Sequence, residues 1–146
     1  MRRQSAAVIG MVATFMSAAF TPSASADLEA YPPNQYLLTT GNVRCVVSAE
    51  RAACERMGPE GFPAAPANQS GGGHWHVAAV DADGKFSWDE AGIGPSTSQE
   101  IVLVNGQPYH FHDWTLLLTT EGTRLSNDAN THGMNVSIDG TVVTPY

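Results

Sequence analysis

The chain predicts an all-β fold: a small antiparallel sandwich or barrel with one disulfide, preceded by a cleaved signal peptide. Three observations carry this. Short apolar segments recur about every 8–12 residues, many alternating apolar and polar side chains as a half-buried strand requires. Gly, Pro, Asn and Asp cluster between them and supply the conformations that reverse a chain. No segment beyond the N-terminus sustains the repeat of a long core helix. The 146 residues are 42% hydrophobic and 14% charged, which allows one domain with its own core and argues against disorder. Seven basic residues against fourteen acidic ones give a net charge of −7, the wrong sign for a nucleic-acid reader.

Residues 1–26 read as an export signal. Met1-Arg2-Arg3-Gln4 is a positive start, residues 6–20 are an uncharged apolar run, and Ala24-Ser25-Ala26 puts small side chains at the cleavage site before Asp27. As a membrane anchor, that run would reach only about 23 Å of the ~30 Å hydrocarbon core. Removing Arg2 and Arg3 leaves five basic residues against fourteen acidic ones, a net charge of −9 on residues 27–146. Such a charge favours solubility and repels anionic lipid and phosphate polymers. No later apolar run approaches the length of a span, so the mature form is expected without one, secreted or held at the cell envelope. The first cysteine, Cys45, lies well past the cleavage site, which leaves no lipid-attachment cysteine there.

Residues 27–33 carry Tyr31-Pro32-Pro33 and read as a loose leader. Residues 35–40 (QYLLTT) form a strand candidate ending at the Gly41-Asn42 turn, and 43–48 (VRCVVS) form the next. Residues 58–73 (GPEGFPAAPANQSGGG) are a loop within the domain. Residues 74–81 and 85–89 flank Ala82-Asp83-Gly84, a strong hairpin signal, and 91–99 are a further loop. Residues 100–104 (EIVLV) and the chain from Gln107 onward flank Asn105-Gly106, which predicts a second hairpin. Residues 109–119 (YHFHDWTLLLT) read as one long strand bent near Asp113. Glu121-Gly122 turns the chain into 123–126, residues 127–132 are a polar loop, and Asp139-Gly140 separates 134–138 from 141–144. That makes eight to ten strands, whose expected core is Leu37, Val47, Val77, Val80, Ile101, Leu103, Trp114, Leu116, Leu118 and Ile138.

Cys45 and Cys54 are an even count in an exported chain, which favours a disulfide. If the chain reverses over Ala49-Glu50, Ser48 faces Arg51 and Cys45 faces Cys54 as a non-hydrogen-bonded pair, with Cα atoms about 4.5 Å apart. A disulfide accepts that spacing. The competing local structure is a short helix over 48–57 (SAERAACERM), rich in Ala, Glu and Arg and capped by Ser48. Without a C-x-x-C spacing or a βαβ pattern, a redox-active pair is not expected.

The run Thr40-Gly41-Asn42-Val43-Arg44-Cys45 with Cys54 resembles the SGN-x-x-C…C opening of uncharacterised small secreted actinobacterial proteins of the mycobacterial type. Residues 122–129 (GTRLSNDA), with His132-Gly133-Met134 and 136–139 (VSID), are similar to the end of such proteins. The chain departs from that pattern in having Thr39-Thr40 before Gly41 in place of a Ser-Pro-Ser-like turn. The resemblance implies secretion, a disulfide and a small β-rich domain, and carries no catalytic residue with it.

Four of the five histidines form two His-x-His pairs, His74/His76 and His110/His112. Alternate residues of a strand share a face, so each pair points one way. On neighbouring strands the four imidazoles would converge on Zn²⁺ or Cu²⁺, with Asp113 or His132 as a further ligand. They fit equally well as strand-end histidines at a sheet margin. The chain has no G-x-S-x-G, Ser-x-x-Lys, H-E-x-x-H or phosphate loop, and no cofactor motif. Asp81-Ala82-Asp83-Gly84 opens like a calcium loop, but Lys85 and Gly92 stand at the fifth and twelfth positions. Asn127, Asp128 and Asn130 read as turn chemistry, and Trp75, Trp88 and Trp114 as core or edge aromatics. The expected function is therefore a secreted, non-enzymatic binding or interaction module with a protein or glycan ligand at the envelope. The alternative is a small metal-dependent or carbohydrate-active enzyme built on the His-x-His strands.

Overall fold

Alternation of apolar and polar side chains forces a strand to bury one face, and two sheets that do so meet as a sandwich. A computed structural model describes residues 34–39, 41–96 and 99–146 of the chain. The expected signal and leader, residues 1–33, lie outside them. The described residues form strands β1 (Gln35–Leu38), β2 (Val43–Val47), β3 (Arg51–Arg56), β4 (Val77–Asp81), β5 (Phe86–Asp89), β6 (Ile101–Val102), β7 (Pro108–Phe111), β8 (Trp114–Leu118), β9 (Gly122–Asn127), β10 (Gly133–Ser137) and β11 (Val143–Pro145). They make two sheets, ordered β5-β4-β3-β2-β1-β6 and β11-β10-β9-β8-β7. Among the described residues there is no helix, so none is long and apolar enough to cross a membrane.

The cysteine hairpin adopts strand pairing, not the short helix, and in the expected register. Val47 faces Ala52, Val46 faces Ala53, and Cys45 faces Cys54, with the Ser48 amide donating to the Arg51 carbonyl at 2.9 Å. The Cys45–Cys54 disulfide joins Cα atoms 4.0 Å apart and is fully buried. Strand alternation decides this over helix propensity: Ala52 and Cys54 extend the buried row of Val43, Cys45 and Val47 onto β3, and a helix over 48–57 would take them out of it.

Three expectations about the second half are corrected. The Asn105-Gly106 turn forms, with the Gln107 amide on the Val104 carbonyl at 3.1 Å, but it joins the two sheets and is not a hairpin. β6 before it lies parallel to β1, Leu37 facing Ile101, while β7 after it pairs with β8. Turn chemistry fixes where the chain reverses and leaves the pairing partner to whichever sheet edge is open. The expected bent strand over 109–119 is instead two strands joined at His112-Asp113, where His112 takes a φ of 53°. Trp114 then faces Phe111 across the turn. Finally, Val77 packs with Ala53 and Ala79 in a small cluster on the outer face of the six-stranded sheet, because β4 is apolar on both faces.

The core between the sheets holds Leu37, Val47, Val80, Leu103, Trp114, Leu116 and Leu118 as expected, with Ile101 and Ile138 packed against it. It also takes Phe62 and Ala65 from the long loop after β3. Phe62 is fully buried and its ring centroid lies 5.5 Å from that of Trp88. The loop doubles back on itself: the Phe62 amide donates to the Trp75 carbonyl and the His74 amide to Glu60. Gly61 at that crossing has a φ of 65°, and a Cβ there would stand 2.1 Å from the His74 carbonyl oxygen, so only glycine fits.

Candidate functional site

The two outer faces of the sandwich are treated differently by the chain. Residues 90–96 lie across part of the outer face of the six-stranded sheet, leaving shallow depressions beside Val46 and Asp89 and beside Arg44 and Glu55. Ile93 packs on the Ala53–Val77–Ala79 cluster, and Arg44 donates to the Gly94 carbonyl at 2.6 Å while pairing through Nε with Glu100 at 2.7 Å. The Arg44 guanidinium also stands 4.8 Å over the Tyr36 ring. This arginine is therefore engaged on three sides in holding the loop down.

The outer face of the five-stranded sheet carries a shallow open groove of about 440 Å³. Strand register aligns its side chains in cross-strand rows, neighbouring strands lying about 4.8 Å apart. The middle row runs Pro108, Leu117, Arg124, Asn135, Thr144. The Arg124 Nε donates to the Tyr146 hydroxyl at 3.1 Å, and that hydroxyl donates on to the Leu125 carbonyl at 3.0 Å. The Arg124 guanidinium lies 5.3 Å from the Tyr146 ring centroid. This fixes the stem of Arg124 and leaves its terminal nitrogens to the groove. Among the described residues no carboxylate lies within ion-pair distance of Arg124, and the Asn135 amide and Thr144 hydroxyl make no hydrogen bond. The Arg124 terminal nitrogens, held by the Nε bond, thus stand beside an unengaged amide and an unengaged hydroxyl on three neighbouring strands.

A second row, nearer the β7–β8 turn, contains His110, Thr115 and Ser126. Thr115 donates its hydroxyl proton to Asp128 at 2.7 Å, so the His110 Nδ1–H, 2.9 Å away, donates to Thr115. At the far end of the groove, Asp139 accepts bonds from the Ser137 hydroxyl and from the Thr141 amide and hydroxyl. Those bonds, Ser137's foremost, hold its carboxyl down from 3.8 to about 2. Its work is to close the β10–β11 turn.

The other histidines are anchored separately. The Nδ1 of His74 donates to the Ala65 carbonyl at 2.7 Å, and that of His76 to Arg56 at 3.1 Å. His74 forms a lone bridge with Ala67, and both precede β4 instead of lying on it. His132 donates to the Tyr146 carbonyl at 3.2 Å. His110 and His112 belong to the other sheet, on β7 and its turn. Among the described residues, no group of three or more His, Cys, Asp or Glu side chains is placed to hold a metal ion.

Asn127 serves the turn as expected, its Oδ1 accepting from the Ala129 and Asn130 amides, and the Asn130 amide group reaches across to the Ala82 carbonyl at 2.7 Å. Arg124, Asn135 and Thr144 were not legible as site residues. The available signal was that Thr115, Leu117, Arg124, Ser126, Asn135 and Thr144 all fall on the outward phase of their strands. Compared with known proteins, the chain matches no family model, no curated protein and no solved structure.

Proposed function

We propose that this protein is a secreted, non-enzymatic binding module acting at or beyond the cell envelope, with the open face of the five-stranded sheet as its contact surface. The observation that carries the reading is the contrast between the two outer faces. The chain lays its own loop and an arginine over part of one, and on the other fixes the stem of Arg124 beside an unengaged amide and hydroxyl. Buried polar groups find partners within the fold, whereas a positioned, unengaged row at a groove supplies directional contacts to a ligand. The signal-like residues 1–26, the acidic charge and the buried disulfide support an oxidising extracellular setting.

The test is retention of the disulfide-bonded mature chain on immobilised cell-envelope fractions, beside the double variant Asn135→Ala/Thr144→Ala. Retention by the parent and its loss in the variant is the expected result. No retention above background, or equal retention by both, overturns the reading. Mass spectrometry of the culture fluid finding residues 1–26 still attached would remove the secreted part of it.

A further inference from the structure

We infer that the groove over β8–β11 takes an acidic saccharide, with Arg124 gripping one carboxylate and Asn135 and Thr144 bonding the neighbouring ring hydroxyls. This inference rests on the binding-module reading above and names its ligand. Charge complementarity selects the carboxylate. Arg124 is the cation of this face, its Nε is already committed to the Tyr146 hydroxyl, and its terminal nitrogens have no carboxylate partner among the described residues. A planar guanidinium fork matches a carboxylate's two oxygens.

The surroundings limit that charge to one. Glu121, three residues before Arg124, lines the same groove, and Asp128, four residues after it, lines the adjoining depression, so like charges stand about 10–14 Å away along the chain on both sides. A densely charged polymer would meet both, on a chain whose net charge is −7. Isolated carboxylates separated by neutral hydroxyls fit better. The backbone of β8, β9 and β10 is spent on ladder bonds with neighbours on each side. An extended peptide, which gains its affinity from main-chain pairing, finds it only in the sheet plane along an edge strand such as β11 and not over the groove. A saccharide needs only what the face presents: donors and acceptors in a row, with Leu117 and Val142 as small apolar borders for its C–H surfaces.

The experiment is an NMR titration of the disulfide-bonded mature chain with three probes: a galacturonate disaccharide, the same disaccharide with its carboxyls reduced to alcohols, and a two-glutamate peptide. The uronate is expected to shift the Arg124 Nε–H and Asn135 side-chain amide signals and to bind about tenfold or more tighter than the other two. Arg124→Gln removes that preference, and Arg124→Lys restores part of it. Asn135→Ala/Thr144→Ala, which leaves the Arg124–Tyr146 contact in place, weakens both saccharides. Equal binding of uronate and reduced sugar, tighter binding of the peptide, or full uronate affinity in Arg124→Gln overturns the inference. If none of the probes moves these signals while envelope fractions still retain the parent and not the double variant, the ligand class fails and the binding face survives. If both experiments are blank, both readings fall.

Discussion

The Tyr146 hydroxyl occupies the space a side chain on Gly133 would need: a Cβ built there stands 2.8 Å from it and 1.9 Å from the Leu125 carbonyl oxygen. Gly133 thereby lets the tyrosine cross β10, bond to β9 and hold Arg124. The backbone of Tyr146 is locked in turn by reciprocal bonds with Gly133, N to O at 3.0 and 3.1 Å. One missing side chain positions the only cation of the groove among the described residues.

Replacing Gly133 with Ala is therefore expected to do two things. The new methyl meets backbone, which yields little, so stability falls by about 1–3 kcal/mol. Tyr146 also loses its place over β10, and the Arg124 Nε–H signal moves. Urea unfolding and the NMR spectrum of the variant check the two effects separately. An unchanged Arg124 signal would show that Tyr146 does not depend on the glycine.

Reducing the Cys45–Cys54 bridge, or replacing both residues with Ala, should cost roughly 2–3 kcal/mol, because so short a loop constrains the unfolded chain only moderately. The strand register around the bridge is set by Val43, Val47, Ala52 and the ladder bonds as well. A lower urea midpoint with an unchanged β-type circular dichroism spectrum is the expected result.

Phe62→Ala should be among the most damaging single changes, at about 3–5 kcal/mol. Its ring is fully buried, yet it belongs to a loop. Loss of the ring empties a core site and releases the segment between β3 and β4. Faster amide exchange at Phe62, His74 and Trp75, whose amides close the loop, would accompany the fall in stability.

Asp139 predicts an acid-side effect whose sign follows from its lowered pKa. Its carboxyl titrates at about 2 when folded and near 3.8 otherwise. The contribution of the ionised group is fully present above the higher value and is lost as the pH falls through the lower one. Asp139→Asn should therefore melt below the parent at about pH 5, and the gap should close as the pH is brought down to about 2. The group is exposed, so the difference is small and is best read as a paired melting curve.

Much of this fold was legible locally. The Cys45–Cys54 register, the Asp83-Gly84 reversal and the inward phase of Trp114, Leu116 and Leu118 each depend on residues close in sequence, where period-two alternation and turn chemistry act directly. Strand β6 shows where such reasoning stops. Its apolar run and the Asn105-Gly106 turn looked like half of a hairpin, but β6 and β7 joined different sheets because each found another open edge.

The amino-acid order alone thus settled the all-β class, the register a cysteine hairpin would take and most of the inward-facing side chains, since each follows from backbone geometry over a few residues. Only the folded chain decided that the cysteine hairpin forms in place of a helix, which strands became neighbours, that residues 90–96 lie over part of one outer face, and that Gly133, Tyr146 and Arg124 meet. Those outcomes depend on contacts between segments far apart in sequence, such as Arg44 with Glu100 and Leu37 with Ile101, whose pairing is a competition among all available edges and faces.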